Sequence, residues 1–207
     1  DALTERSGYP YQIRGNNGND RIVIKPSESN VVLYSGVEIH GGSGEDTILT
    51  CSDAEPGPYC AGSDKVDGGP DSDTIATYLG RDTIQGGDGN DNILSGSGED
   101  IVNGGNGDDY IRGEGGNDTL NGDSGMDTIL GDGGNDTISG GNDNDTLLGG
   151  PGNDTLMGDA GNDSHYWNYT EENDIHIGGS GDDTLSLSGY LINHAKLYES
   201  ASAEDPE

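Results

Sequence analysis

Aspartates recur at intervals of nine through the middle of the chain: Asp73, Asp82, Asp91, Asp100, Asp109, Asp118, Asp127, Asp136, Asp145, Asp154 and Asp163. Asp46 stands three such intervals before Asp73, and Asp183 resumes the series after a slip. Glycines precede them at fixed offsets. Gly86-Gly87-Asp88-Gly89-Asn90-Asp91 shows the full pattern, and turns opening at Gly41, Gly104, Gly149 and Gly178 repeat it. Carboxylates held at one place in a repeated turn, beside main-chain carbonyls that glycine leaves accessible, form an all-oxygen shell. Such a shell suits a hard cation, and calcium accepts about six to eight oxygens at about 2.3–2.6 Å in flexible geometry. Neither Cys nor His recurs with the turns, which disfavours a soft or borderline metal there.

Positioning these carboxylates requires a scaffold with the same period. A nine-residue repeat fits neither a helical stripe nor a heptad, so the unit is read as a turn plus a short strand. Glycine at the first, second and fourth places suits positive φ and close backbone approach. The closing triplet, such as Thr137-Ile138-Ser139, has the out-in-out alternation of a strand. Val102, Leu120, Ile129, Ile138 and Leu147 keep its central, inward place. One aliphatic per unit cannot bury itself, whereas stacked units bury it together, which makes a solenoid. Stacking also lines up the carboxylates at about 4.7–4.9 Å, the spacing of adjacent strands, so the row needs neutralising.

The pattern Gly-Gly-x-Gly-x-Asp-x-aliphatic-x resembles the RTX (repeats-in-toxin) calcium-binding nonapeptide, over most of residues 41–186. The resemblance implies an all-β, right-handed parallel β-roll in which two nonapeptides complete a coil and alternate repeats fall on opposite edges. Calcium ions would then sit between neighbouring turns of one edge. Their ligands would be the aspartates named above and turn residues including Gly41, Gly86, Gly89, Gly104, Gly107, Gly149, Gly152, Gly178 and Gly181. About ten such ions are expected from this coordination logic.

Composition points the same way. Only 28% of residues are hydrophobic, none is Phe, and the formal charge is −32. A polyanion with so little to bury stays unfolded unless something neutralises it. Metal binding then becomes folding free energy. About ten sites, each at roughly tenfold over its dissociation constant, would supply roughly 14 kcal/mol. Eight Lys and Arg against 40 acids exclude nucleic acid as a partner, because phosphate neutralisation needs basic residues. No apolar run approaches the roughly twenty residues of a membrane span. No signal peptide is visible and the chain opens at Asp1, the form expected of a mature protein or an excised region.

Along the chain, residues 1–40 are read as an irregular cap containing one degraded repeat, Gly15 to Val23, with further strands at Val31–Tyr34 and Val37–Ile39. The roll spans 41–186, interrupted by an insertion at 50–67 and an aromatic slip at 167–177. Within the insertion Gly62, Asp64 and Val66 keep their slots. Cys51 and Cys60 flank the departing segment, and a disulfide between them is expected in an oxidising compartment. Asp71, Leu79 and Asp143 break the motif near its third or fourth place, so weaker calcium turns are expected there. His165 and His176 are a possible transition-metal pair, but they occupy core slots and are read as a packed plug. Residues 187–207 are taken as an apolar lid followed by an acidic disordered tail. The chain contains no H-E-x-x-H and no G-x-S-x-G, and carboxylates in repeats read as ligands rather than as acid and base. The expected function is a non-enzymatic, calcium-folded module, secreted or on the cell surface of a bacterium. The alternatives are an adhesion or carbohydrate-binding solenoid presenting a ladder of Thr119, Thr128, Thr137, Thr146 and Thr155, or the accessory part of a secreted enzyme whose catalytic domain lies elsewhere.

Overall fold

In the computed structural model the described residues are 11–23, 37–50, 62–168, 173–188 and 197–198. The expected Cys51–Cys60 disulfide and the expected strand at 31–34 lie outside them. The strands run in chain order as β1 (Tyr11–Asn17), β2 (Arg21–Val23), β3 (Val37–Ser43), β4 (Thr47–Leu49), β5 (Lys65–Pro70) and β6 (Thr74–Ala76). They continue as β7 (Thr83–Asp88), β8 (Asn92–Leu94), β9 (Ile101–Asn106), β10 (Tyr110–Arg112), β11 (Thr119–Ser124) and β12 (Thr128–Leu130). The last are β13 (Thr137–Asn142), β14 (Thr146–Leu148), β15 (Thr155–Ala160), β16 (Ser164–Asn168), β17 (Ile175–Ser180), β18 (Thr184–Ser188) and β19 (Leu197–Tyr198).

Odd-numbered strands form one sheet and even-numbered strands the other, each in order of the chain and all pairings parallel. The chain therefore alternates between the two sheets, one nonapeptide to each, and climbs one rung after two. The architecture is the parallel β-roll expected of stacked repeats. The degraded repeat at 15–23 forms the first rung, because β1 pairs with β3 and β2 with β4 in the same parallel manner.

The core is two facing rows of aliphatic side chains. Ile39, Val66, Ile84, Val102, Leu120, Ile138 and Leu156 line one sheet, and Ile48, Ile75, Ile93, Ile111, Ile129 and Leu147 line the other, all buried. Strict register keeps each row in phase, as with Ile111 opposite both Ile93 and Ile129. Both rows pass through a histidine near the C-terminal end, His165 after Leu147 and His176 after Leu156, before Leu185 and Leu197 follow.

The threonine ladder does not form a single face. Thr119, Thr137 and Thr155 stack on the long-strand sheet, whereas Thr128 and Thr146 stack on the other. A step of nine moves the chain to the opposite sheet, so only every second threonine shares a surface.

Candidate metal centre

Two rows of turns join the sheets. A first edge carries the chain from long to short strands through the turns of Asp20, Asp46, Asp73, Asp91, Asp109, Asp127, Asp145, Asp163 and Asp183. A second edge returns it through Asp64, Asp82, Asp100, Asp118, Asp136, Asp154 and Asp174. Along each edge the aspartates are tied into a ladder. The amide of each donates to Oδ1 of the aspartate one rung further on, at 2.7–3.0 Å, from Asp20→Asp46 to Asp163→Asp183 and from Asp64→Asp82 to Asp154→Asp174. The carbonyl of each accepts from the residue that opens the next rung's strand, as in Thr128 N–H to Asp109 O at 2.8 Å.

The structure thus places every aspartate expected as a ligand, from Asp46 to Asp183, on one of these two ladders. It also adds Asp20, Asp64 and Asp174, which belong to no intact repeat. Asp64 held its slot in the nine-residue phase, and that signal was sufficient to find it. Asp20 sits behind a 26-residue step, so counting by nine or eighteen passes over it, whereas Asp174, behind a 20-residue step, resumes the count nine residues before Asp183.

While Oδ1 is committed to the ladder, Oδ2 is not. Oδ2 of Asp46, Asp73, Asp91, Asp109, Asp127, Asp145 and Asp163 on the first edge is buried with no hydrogen-bond partner, as is Oδ2 of Asp82, Asp100, Asp118 and Asp136 on the second. A buried carboxylate oxygen with nothing to balance it is costly, and the group must take either a proton or a cation. Burial accordingly drives the carboxyls of Asp91, Asp100 and Asp163 up from their usual 3.8, against the opposing pull of the ladder amide, and others further still. Asp73, Asp82, Asp109, Asp118, Asp127 and Asp145 rise to about 7 and Asp136 to about 6.

The opening glycine of each turn makes room beside that oxygen. A Cβ added to Gly113 would stand 2.5 Å from Oδ2 of Asp118 and 2.8 Å from the carbonyl oxygen of Gly131, one rung on. Cβ atoms on Gly41, Gly86 and Gly104 would likewise crowd Oδ2 of Asp46, Asp91 and Asp109 together with the next turn's glycine carbonyl, and those on Gly149 and Gly178 would crowd Asp154 and Asp183. None of these opening glycines has positive φ, so glycine serves space there, not conformation. Positive φ belongs instead to the second and fourth places, for example 129° at Gly89, 127° at Gly107, 152° at Gly152 and 142° at Gly181, where the backbone passes close over the preceding rung.

Each cradle therefore presents one anionic oxygen and a main-chain carbonyl, with no nitrogen or sulfur. Among the described residues no three His, Cys, Asp or Glu side chains converge as a metal cluster, so carbonyls must complete any coordination shell. A hard divalent cation fits this donor set. His165 and His176, with Nδ1 atoms 3.4 Å apart, lie in the core slots between the sheets and have no third ligand of those types.

The description of the RTX calcium-binding nonapeptide repeat matches the chain in four copies, over residues 67–102, 94–129, 130–164 and 170–189. Together these cover more than half of its length. A comparison with curated proteins returned no match. With unpartnered aspartate oxygens on both edges of a parallel roll and the repeat recognised from residue 67 to residue 189, the chain belongs to the family of RTX calcium-binding nonapeptide repeats.

Proposed function

We propose that the protein is an extracellular module, secreted or displayed at a bacterial surface, that folds when about ten calcium ions enter its two edges. The observation that carries this is the buried, unpartnered Oδ2 repeated along both ladders. Asp46, Asp73, Asp91, Asp109, Asp127, Asp145, Asp163 and Asp183 would serve the first edge, and Asp118, Asp136 and Asp154 the second, while Asp82 and Asp100 hold the register of that row through their Oδ1 atoms. Calcium supplies positive charge between rungs; everything else is the work of the chain. Oδ1 holds the register, Oδ2 and the glycine carbonyls offer oxygen, and the aliphatic rows exclude water from the core.

The formal charge of −32 makes the metal-free chain self-repelling, and its apolar content is too small to overcome that alone. In low calcium it stays open; where calcium is abundant it closes. The test is a calcium titration of chelator-treated full-length chain, followed by far-UV circular dichroism and metal analysis. A cooperative gain of β-signal with several ions bound per chain is expected. A β-rich spectrum in chelator, unchanged by calcium at neutral pH, would refute the proposal.

A further inference from the structure

The two edges are not equivalent. On the first, every turn opens with glycine, from Gly15, Gly41 and Gly68 to Gly158 and Gly178. On the second, the first three turns open with a hydroxyl residue. Thr50, Thr77 and Ser95 each follow a short strand and donate their amide across it, to Ala76, Leu94 and Arg112 carbonyls at 3.0 Å. Gly113 and Gly131 make the same bond to Leu130 and Leu148, which fixes all five as equivalent positions. The three hydroxyl residues are buried, at 8%, 2% and 0% exposure.

The side chains of Thr77 and Ser95 enter the space that glycine leaves empty elsewhere. Thr77 Oγ1 donates to the carbonyl of Ser95 at 2.6 Å, and Ser95 Oγ donates to the carbonyl of Gly113 at 3.0 Å. These carbonyls correspond to the one from Gly131 that borders the open cradle of Asp118. A hydroxyl proton thus occupies the oxygen that would face an ion, and a Cβ fills the gap beside it. The same hydroxyls lie next to the carboxyls of Asp82 and Asp100, whose pKa values burial raises. Asp82 and Asp100 still keep an Oδ2 without a donor, because the hydroxyl proton is spent on the carbonyl. The missing room, not the carboxylate, sets these turns apart.

We infer that Thr77 and Ser95 are hydroxyl plugs that keep calcium out of the turns of Asp82 and Asp100, so that from Asp82 on the second edge takes up ions only from Gly113 onward. The inference rests on the calcium reading of the ladders and sharpens it. The first edge is metal-bound along its length, whereas the Asp82 and Asp100 turns of the second are held by hydroxyl-to-carbonyl bonds that need no metal.

Native mass spectrometry of the calcium-loaded full-length chain counts the ions, with circular dichroism confirming that each variant is folded. Asp82→Asn and Asp100→Asn are expected to keep the wild-type ion count, while Asp136→Asn loses calcium. Ser95→Gly opens a cradle and is expected to gain an ion, a readout that stands even where an aspartate variant fails to fold. Loss of an ion from folded Asp82→Asn or Asp100→Asn, or no gain in Ser95→Gly, overturns the plug. Wild-type chain that takes up no calcium at all overturns the calcium reading beneath it, which distinguishes the two failures.

Discussion

The amide of Asp109 donates to Oδ1 of Asp127 at 2.8 Å, while Oδ2 of that same carboxylate is buried and meets no donor. One side chain therefore does two separable jobs. Asp127→Asn keeps an oxygen for the Asp109 amide and removes the charge. It should still fold at saturating calcium, with fewer ions bound and a higher calcium midpoint. Asp127→Ala also strands the buried Asp109 amide, and should be less stable than the Asn variant by about 1–3 kcal/mol in denaturant at saturating calcium. Equal stability of the two would mean that the ladder bond contributes nothing.

Glycines at different places of the repeat should differ sharply in tolerance. A Cβ on Gly122 would collide with Oδ2 of Asp127 and lie 2.5 Å from the carbonyl of Gly140. A Cβ on Gly115 would meet nothing nearer than Ser97 Oγ at 3.8 Å, at a φ that any residue adopts. Gly122→Ala is expected to shed calcium and raise the midpoint for folding. Gly115→Ala should stay within about 0.5 kcal/mol of wild type or gain slightly from a less flexible unfolded chain. Calcium titrations of the pair decide it.

Periodicity made the aspartates, the aliphatic rows and the parallel roll legible, because all three follow from a single count of nine. It was less informative where departures had to be weighed. Asp71 and Asp143 stand in for the fourth glycine and were expected to weaken their turns. Both adopt the left-handed backbone of the fourth place, at φ 80° and 77°, so the turn keeps its shape without glycine's freedom. The more consequential departures are Thr77 and Ser95 at the first place, where a small polar residue looks harmless in a sequence but fills the cradle. The fifth place carries no fixed residue in the repeat pattern. Yet Asn117, Asn135, Asn144 and Asn153 accept the amide of the next turn at 2.7–3.0 Å, an asparagine ladder antiparallel in sense to the aspartate one. The threonine face failed for a geometric reason: a neighbour nine residues away lies on the far sheet.

Acid should substitute in part for calcium. The folded, metal-free carboxyls of Asp73, Asp109, Asp127 and Asp145 titrate at about 7, above the unfolded value of 3.8. A folded state that holds protons more tightly gains stability that is full below about pH 4 and lost as pH rises through about 7. The calcium-free chain should therefore show more β-signal at about pH 5 than at about pH 8. Calcium must displace those protons, so the calcium midpoint should rise as pH falls over the same range. A calcium-free spectrum that loses β-signal on acidification counts against the raised carboxyls.

His165 and His176 face each other where aliphatic side chains face each other in the earlier rungs, with ring centroids 5.5 Å apart and planes at 52°. Burial lowers both, His176 to about 4, and the Nε2 atoms have no partner. Their pKa values are depressed below the unfolded 6.5, so their contribution is present above that pH and is lost as pH falls toward about 4, opposite in sign to the aspartates. His165→Leu continues the row from Leu147 to Leu185 with a side chain of similar volume. It removes a buried nitrogen with no partner and should raise stability in saturating calcium by about 1–2 kcal/mol at neutral pH, with a larger gain below about pH 6. Denaturant unfolding at the two pH values measures both numbers. A destabilised variant at neutral pH would show instead that the Nδ1 contact binds the histidines as a unit, and that the pair holds the last rungs together rather than weakening them.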